Sequence, residues 1–184
     1  MKAAFIGRFQ PFHEGHKNVI EDYRDQFEDF CVIIGSSDKS RERENPLTAD
    51  EREEIIRECF PDLEIVHVDD EGTETEEMNR KWIENVRDKT SADVIISQNS
   101  LVKRLVNEYT NMSLETQEMH DPEVYSGTEI RRRTRSGEEW RYLVPGCAEE
   151  KIEEHLEIIK NAGINYNFEP GWKRKNAYNA SSDQ

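Results

Sequence analysis

The stretch Phe30-Cys31-Val32-Ile33-Ile34-Gly35 is a near-continuous apolar run of strand length. A strand with one wet face would alternate apolar and polar residues. An unbroken run instead suits a parallel strand covered on both faces. Such a strand needs helices above and below it, and the flanking sequence supplies them. Ala3-Ala4-Phe5-Ile6 reads as a first strand. After it, Val19, Ile20, Tyr23 and Phe27 recur on one face of a helix. A polar loop, Ser36 to Leu47, then leads to a helix with Thr48 as N-cap and Glu51 three residues later, a capping box, and this helix ends before Pro61.

The alternation continues along the chain. Leu63 to Val68 reads as a strand and Asp69 to Thr75 as an acidic loop. Glu76 to about Asp88 reads as a helix with Met78, Trp82, Ile83 and Val86 as its apolar members. Asp93 to Ser97 is a short buried strand, followed by a helix carrying Leu101, Val102, Leu105 and Val106. Ser113 to Met119 reads as a more exposed strand, Tyr125 to Arg135 as the opening of a helix, and Trp140 to Pro145 as a helical turn. Glu149 to Ala162 is helical, with Gly163 as its C-cap. This order predicts an α/β fold, Rossmann-like and doubly wound, with a mostly parallel sheet and flanking helices. Residues 1–164 form the expected domain, and the polar tail, 165–184, is expected to be partly mobile. In such sheets ligands bind beyond the carboxyl ends of the strands, so the loops after Ile6, Gly35, Val68 and Ser97 should line one rim.

Charge narrows the function. The net charge is −15, which argues against a nucleic-acid binder and against adhesion to an anionic membrane. It leaves room for a nucleotide enzyme, where a few local basic groups suffice. The same acidity would suit a high-salt cytoplasm or an ordinary acidic protein. No apolar run approaches membrane-spanning length and no leader pattern opens the chain, so a cytoplasmic location is expected. Cys31, Cys59 and Cys147 are odd in number and far apart, and are expected to be reduced and mostly buried.

Two segments carry chemistry. The first is Gly7-Arg8-Phe9-Gln10-Pro11-Phe12-His13-Glu14-Gly15-His16, directly after the first strand and at a helix start. Free backbone N–H groups and the positive end of the helix dipole make that junction an anion site. His13, His16 and Arg8 add side-chain donors for phosphate oxygens. Alone, two histidines at that spacing would read as ordinary capping or core residues; their setting favours function. The second segment is Tyr125-Ser126-Gly127-Thr128-Glu129-Ile130-Arg131-Arg132-Arg133. Its hydroxyls and glycine at a helix start can cradle phosphate, and Arg131 can fold back from one turn in. Alone, this too would read as a capped helix with a solvated arginine run.

Together these segments resemble the archaeal-type nicotinamide-nucleotide adenylyltransferases of the HxGH nucleotidyltransferase superfamily. The resemblance spans roughly residues 1–160 and includes intermediate landmarks. Glu44-Asn45-Pro46-Leu47-Thr48-Ala49-Asp50-Glu51-Arg52 is similar to the family's ENPFTAGER stretch, and Asn79-Arg80-Lys81-Trp82 to its Asn-x-x-Trp. Gln98-Asn99-Ser100-Leu101-Val102 resembles its Gly-Asn-Pro-Leu-Val, and Glu138 to Pro145 its closing Gly-x-x-Trp-x-x-Leu-Val-Pro.

The resemblance implies that the 5′-phosphate of nicotinamide mononucleotide attacks the α-phosphate of ATP, giving NAD and pyrophosphate with no covalent enzyme intermediate. It implies that His13, His16, Arg8 and Arg131 are catalytic. ATP would be held by Gly7, Arg8, Phe9, His13, Gly15, His16, Tyr125, Ser126, Thr128 and Arg131. Trp82 would stack on the nicotinamide and Asn79 would sit near its carboxamide; without the resemblance, Trp82 would read as core. Mg²⁺ would be held mainly by substrate phosphates and water, and no protein ligand for it is assigned. A homo-oligomer, up to a hexamer, is implied, with no nucleic-acid or membrane partner.

Three departures bear on the acceptor. Gln98 stands in the family's Ser-Gly-Asn turn, the Asp69 to Met78 link is longer and more acidic, and Arg41-Glu42-Arg43 replaces Ser-His-Thr. Another phosphate acceptor within the superfamily, such as phosphopantetheine, a sugar phosphate or a flavin nucleotide, therefore stays open. A nucleotide-binding sensor without turnover is a further alternative, against which the full set of site residues speaks. No Nudix-type glutamate motif is present, so a fused pyrophosphatase is not expected.

Overall fold

The structure, a computed structural model, describes residues 1–70, 75–116 and 124–164. Five strands, β1 (Lys2–Gly7), β2 (Asp29–Ile34), β3 (Glu64–His67), β4 (Val94–Ile96) and β5 (Ser113–Glu115), form one sheet in the order β3-β2-β1-β4-β5. Every pairing is parallel, with Ala4 opposite both Cys31 and Ile95, and Phe5 opposite both Val32 and Ile96.

That register explains the unbroken apolar strands. Ala3, Phe5, Val32, Ile34, Val94 and Ile96 face one core layer, with helices α1 (Glu14–Tyr23), α2 (Ala49–Cys59), α5 (Gly127–Ser136), α6 (Gly146–Glu154) and α7 (Leu156–Asn161). Ala4, Cys31, Ile33 and Ile95 face the other, with α3 (Glu76–Thr90) and α4 (Ser100–Tyr109). Both pleats of each central strand are buried, and each fully covered Val or Ile stabilises the fold by roughly 1.5–3 kcal/mol. The sheet is doubly wound, as expected.

Local signals placed most helix starts. Thr48 accepts from the Glu51 N–H, and Glu51 returns the bond to the Thr48 N–H. Asn99 caps α4 and Thr75 caps α3. Four expectations change. Helix α1 stops at Tyr23, so Phe27 reaches the core from the following turn. The last helix starts earlier and breaks at His155, whose N–H makes an i→i+3 bond to Ile152; the bend lets α6 lie on α2 while α7 lies on α5. The fifth strand covers only Ser113–Glu115, and 117–119 lie outside the described residues, as do 71–74 of the acidic loop and the tail 165–184.

The cysteine expectation is corrected. Cys59 and Cys147 form a disulfide, and only Cys31 is free. The packing of α6 on α2 brings two residues 88 apart in sequence to a Cα separation of 5.3 Å, within bridging range. Cys31 is buried in the sheet, and burial pushes its thiol up to about 11. Among the described residues no helix is long and apolar enough to cross a membrane.

Candidate active site

The rim at the carboxyl ends of β1 and β2 is organised by one arginine. Arg52, on the second turn of α2, is fully buried. Its Nη1 donates to the carbonyls of Arg8 (2.9 Å) and Gly35 (2.8 Å), its Nη2 to Ser36 (3.0 Å) and its Nε to Thr48 (3.1 Å). Burial lowers its pKa to about 10, but the group stays charged at neutral pH. A buried guanidinium without a carboxylate is costly, and four carbonyl dipoles offset that cost. The loops after β1 and β2 are thereby tied to one side chain. Gln10 adds a second tie: its amide donates to the Leu47 carbonyl (2.9 Å) and accepts the Leu47 N–H (3.0 Å).

Within the first loop the two histidines stack, with ring centroids 3.6 Å apart and planes 25° apart. His16 also meets the rings of Phe9 (4.6 Å) and Phe12 (5.9 Å). Burial lowers the pKa of His13 to about 3, and burial followed by the neighbouring His13 pushes His16 well below its ordinary value. Both rings are neutral at pH 7 and would meet phosphate as N–H donors rather than as cations. The N-cap N–H of His13 donates to His16 Nδ1 at 3.3 Å, which puts the His16 proton on Nε2. His13 Nδ1 is buried without a hydrogen-bond partner. A Cβ at Gly15 would stand 3.1 Å from the His13 ring, so glycine lets the ring lie flat on the helix start.

The second segment meets the first. Ser126 caps α5 by accepting the Glu129 N–H (3.2 Å). A Cβ at Gly127 would stand 2.7 Å from the Gln10 carbonyl oxygen, so only glycine permits this approach. Arg131 folds back along α5 and is 3% exposed. Its Nη1 donates to the Gln10 carbonyl (2.6 Å), and its Nη2 to Thr128 Oγ1 (3.2 Å) and to the carboxylate of Glu44. Tyr125 packs on the same core layer, beside Gly15.

On the other face of the sheet, Trp82 lines a cavity of about 350 Å³ with Gly7, Arg8, Gly35, Asp70, Ser97 and Asn99. Arg8 is an exposed cation on one wall. Asp70 accepts from Ser36 Oγ (2.5 Å), pairs with Lys39 Nζ (3.8 Å) and lines the same cavity as Trp82. Asn79, one turn before Trp82 on α3, is buried with its Oδ1 unpartnered and does not line this cavity. The indole Nε1 of Trp82 is likewise buried and unpartnered. A larger cavity, about 500 Å³, lies at Arg43, Arg135 and Gly163, away from the histidines. Among the described residues no group of three or more His, Cys, Asp or Glu could hold a metal ion.

The structure thus brings His13, His16, Ser126, Thr128 and Arg131 around the first loop, and joins them through Gly7 and Arg8 to the cavity of Trp82. Sequence reasoning gave no role to Arg52, Glu44 or Asp70. Arg52 had one available signal, its place in the Thr48–Arg52 stretch one turn after an N-cap.

The profile of the Cytidylyltransferase-like family matches residues 4–133. A nicotinamide-nucleotide adenylyltransferase of Methanolobus tindarius is 39% identical over 156 residues, covering 83% of this chain and 88% of that protein. Its counterpart in Halobacterium salinarum is 37% identical over 151 residues, covering 82% and 84%. The chain belongs to the archaeal nicotinamide-nucleotide adenylyltransferase family. The crystal structure of a bifunctional NMN adenylyltransferase/ADP ribose pyrophosphatase of Francisella tularensis, complexed with AMP and a manganese ion, superposes with a TM-score of 0.69. It is 18% identical, and the match covers 96% of this chain and 56% of that one; the likeness is one of fold.

Proposed function

We propose that this chain transfers the adenylyl group of ATP to the 5′-phosphate of nicotinamide mononucleotide, releasing pyrophosphate. One observation carries the choice of acceptor: the cavity at the sheet rim is lined by a basic side chain, Arg8, an aromatic one, Trp82, and an acidic one, Asp70. Nicotinamide mononucleotide has the complementary polarity, an anionic phosphate and a flat cationic ring that suits an aromatic face.

In the reaction an acceptor phosphate oxygen bonds to the α-phosphorus. The bond from that phosphorus to the bridging oxygen breaks, and its electron pair leaves with pyrophosphate. The acceptor phosphate is ionised near neutral pH, so no general base is needed. The protein's work is alignment and charge stabilisation. His16 Nε2–H and His13 would donate to the triphosphate near the reacting phosphorus, and Arg8 would contact phosphate oxygens between the two substrates. Ser126, Thr128, Arg131 and the α5 N-terminus would hold the leaving pyrophosphate. Gly7, Phe9, Gly15 and Tyr125 would shape the ATP side. Trp82 would stack on the nicotinamide, with Asn79 supporting it from the preceding turn. The donors around the triphosphate are arginine, histidine and hydroxyl groups, which suits a divalent ion arriving on the nucleotide and held by its phosphates and water; Mg²⁺ would neutralise phosphate charge there. A homo-oligomer, up to a hexamer, and a cytoplasmic location go with this reading.

The test is purified protein with Mg²⁺, ATP and a panel of acceptors: nicotinamide and nicotinate mononucleotides, phosphopantetheine, flavin mononucleotide and a sugar phosphate. NAD and pyrophosphate are expected with the first. Turnover with a different acceptor and none with nicotinamide mononucleotide would overturn the assignment.

A further inference from the structure

Among the described residues most arginines have a carboxylate partner. Arg24, Arg41, Arg57, Arg80, Arg87, Arg104, Arg131, Arg132, Arg133 and Arg141 all do. Arg52 is satisfied by carbonyls instead. The exceptions are Arg8, Arg43 and Arg135: Arg135 and Arg8 act on one carboxylate, Glu44, and Arg43 stands close enough to act on Arg135. Arg43 precedes Glu44 in sequence. Arg135 Nη2 donates to the Arg43 carbonyl at 2.6 Å, so its guanidinium sits on the peptide that joins Arg43 to Glu44. After Arg131, Arg135 and Arg8 are the further charges holding the Glu44 carboxyl below its usual range.

Glu44 itself is bound elsewhere. Its carboxylate lies on Arg131 Nη2, the same nitrogen that reaches Thr128 Oγ1 at the start of α5. A phosphate cradled by Thr128 and Arg131 would need that position. The two partners differ in burial: the Arg131 side chain is 3% exposed and that of Glu44 57%. The backbone around Glu44 is fixed. Leu47 is held by Gln10, Arg43 by Arg135, and the Arg41 carbonyl accepts the Gly163 N–H. The half-exposed glutamate side chain is the part with room to move, and stripping the anion from buried Arg131 is costly unless another anion takes its place.

We infer that Glu44 fills the pyrophosphate seat on Arg131 while the site is empty, and passes to Arg135 when the polyphosphate of the nucleotide arrives. This rests on the reading of Arg131 as a pyrophosphate ligand. The exchange trades one ion pair for another, keeps Arg131 oriented between turnovers, and weakens the hold on both ATP and the pyrophosphate product. Glu44 is a positioning residue: it acts on the substrate through Arg131.

Calorimetric titration of the full chain with inorganic pyrophosphate tests this without turnover. Glu44→Gln should bind pyrophosphate about 3- to 10-fold more tightly than the parent. Glu42→Gln, which removes a neighbouring exposed charge, should change affinity by less than about 1.5-fold. Arg135→Gln should weaken binding about 2- to 3-fold in the parent and have no effect in the Glu44→Gln background, because its part is to receive the displaced carboxylate. In steady state Glu44→Gln should lower the KM for ATP and strengthen inhibition by pyrophosphate. Unchanged or weaker binding by Glu44→Gln, equal gains from Glu42→Gln, or an Arg135→Gln effect that persists in the double variant would each overturn the proposal. So would weakening by Glu44→Gln seen only when Mg²⁺ is added, which would assign the carboxylate to the metal. If Glu44→Gln folds poorly, Glu44→Asp retracts the carboxylate from Arg131 and should show the same direction. A chain that binds pyrophosphate as expected but makes no NAD would overturn the acceptor assignment and leave the seat on Arg131 standing.

Discussion

The His13 backbone N–H points at the Nδ1 of His16, 3.3 Å away, while the two rings lie stacked on each other. A helix start that would otherwise leave this donor open instead fixes the tautomer of a candidate catalytic side chain. His16 offers an N–H at Nε2 without carrying a charge, because burial keeps both rings neutral.

His16→Ala should therefore lower kcat by at least ~10²-fold with ATP and nicotinamide mononucleotide, if the Nε2–H stabilises charge building on the transferring phosphate. His16→Gln, whose amide N–H can reach the Nε2 position, should recover part of the loss. Near-normal turnover in a folded alanine variant would remove His16 from the chemistry.

The same burial makes the fold acid-sensitive in a defined window. The unfolded chain protonates a histidine near pH ~6.5, whereas folded His13 does so only at about 3. Between those values the unfolded state binds more protons, so stability falls as pH falls, by up to about 1.4 kcal/mol per pH unit for each such histidine. Between about pH 6.5 and pH 5 exposed carboxylates are ionised in both states, so they add little slope there. Urea unfolding across this interval should show the decline, and His13→Gln should make it shallower, with His16 supplying the remainder. A parent protein equally stable at both ends would contradict the buried neutral pair.

Arg52→Lys should cost more than its conservative appearance suggests. One ammonium cannot reach all four carbonyls that the guanidinium serves, and each stranded buried acceptor costs about 1–3 kcal/mol. A loss of roughly 2–4 kcal/mol in denaturant unfolding is expected, together with a raised KM for both substrates, since the loops carrying Arg8 and Ser36 share this anchor. A variant as stable as the parent would mean that the rim is held by other contacts.

The Cys59–Cys147 bridge should act on stability and leave the chemistry alone. It closes a loop spanning 88 residues and ties the end of α2 to the start of α6, on the side of the chain opposite the α2 N-terminus that carries Thr48 and Arg52. Cys59→Ala with Cys147→Ala should lose about 2–4 kcal/mol with kcat within about twofold of the parent. Full retention of stability would show that the thiols are not bridged in solution.

Strands and most helix starts were legible in the sequence because their signals are local or periodic. The central strands are buried on both faces and read as unbroken apolar runs, and Thr48 with Glu51 is a self-contained cap. The histidine loop and the Ser126–Arg131 helix start were legible for the same reason. What escaped depended on tertiary neighbours. Arg52 looks like a surface residue on an acidic helix until the β1 and β2 loops fold over it. Glu44 lies 87 residues from Arg131, and nothing near either one announces the pair. The bridge of Cys59 to Cys147 depends on α6 lying against α2. The break at His155 follows from α6 and α7 resting on different helices rather than from any residue that stops a helix.

The double winding of the sheet has an evolutionary consequence. The residues proposed to handle ATP come from the first loop and from helices of one layer, whereas Trp82 and Asn79 stand on α3 in the other. Nucleotide handling and acceptor choice stand on different layers of the sheet and meet at the rim, through Gly7, Arg8 and the loops that Arg52 anchors. A lineage could remodel α3 and the acidic loop before it to admit a new phosphate acceptor while the adenylyl-transfer apparatus passed unaltered from parent to descendant.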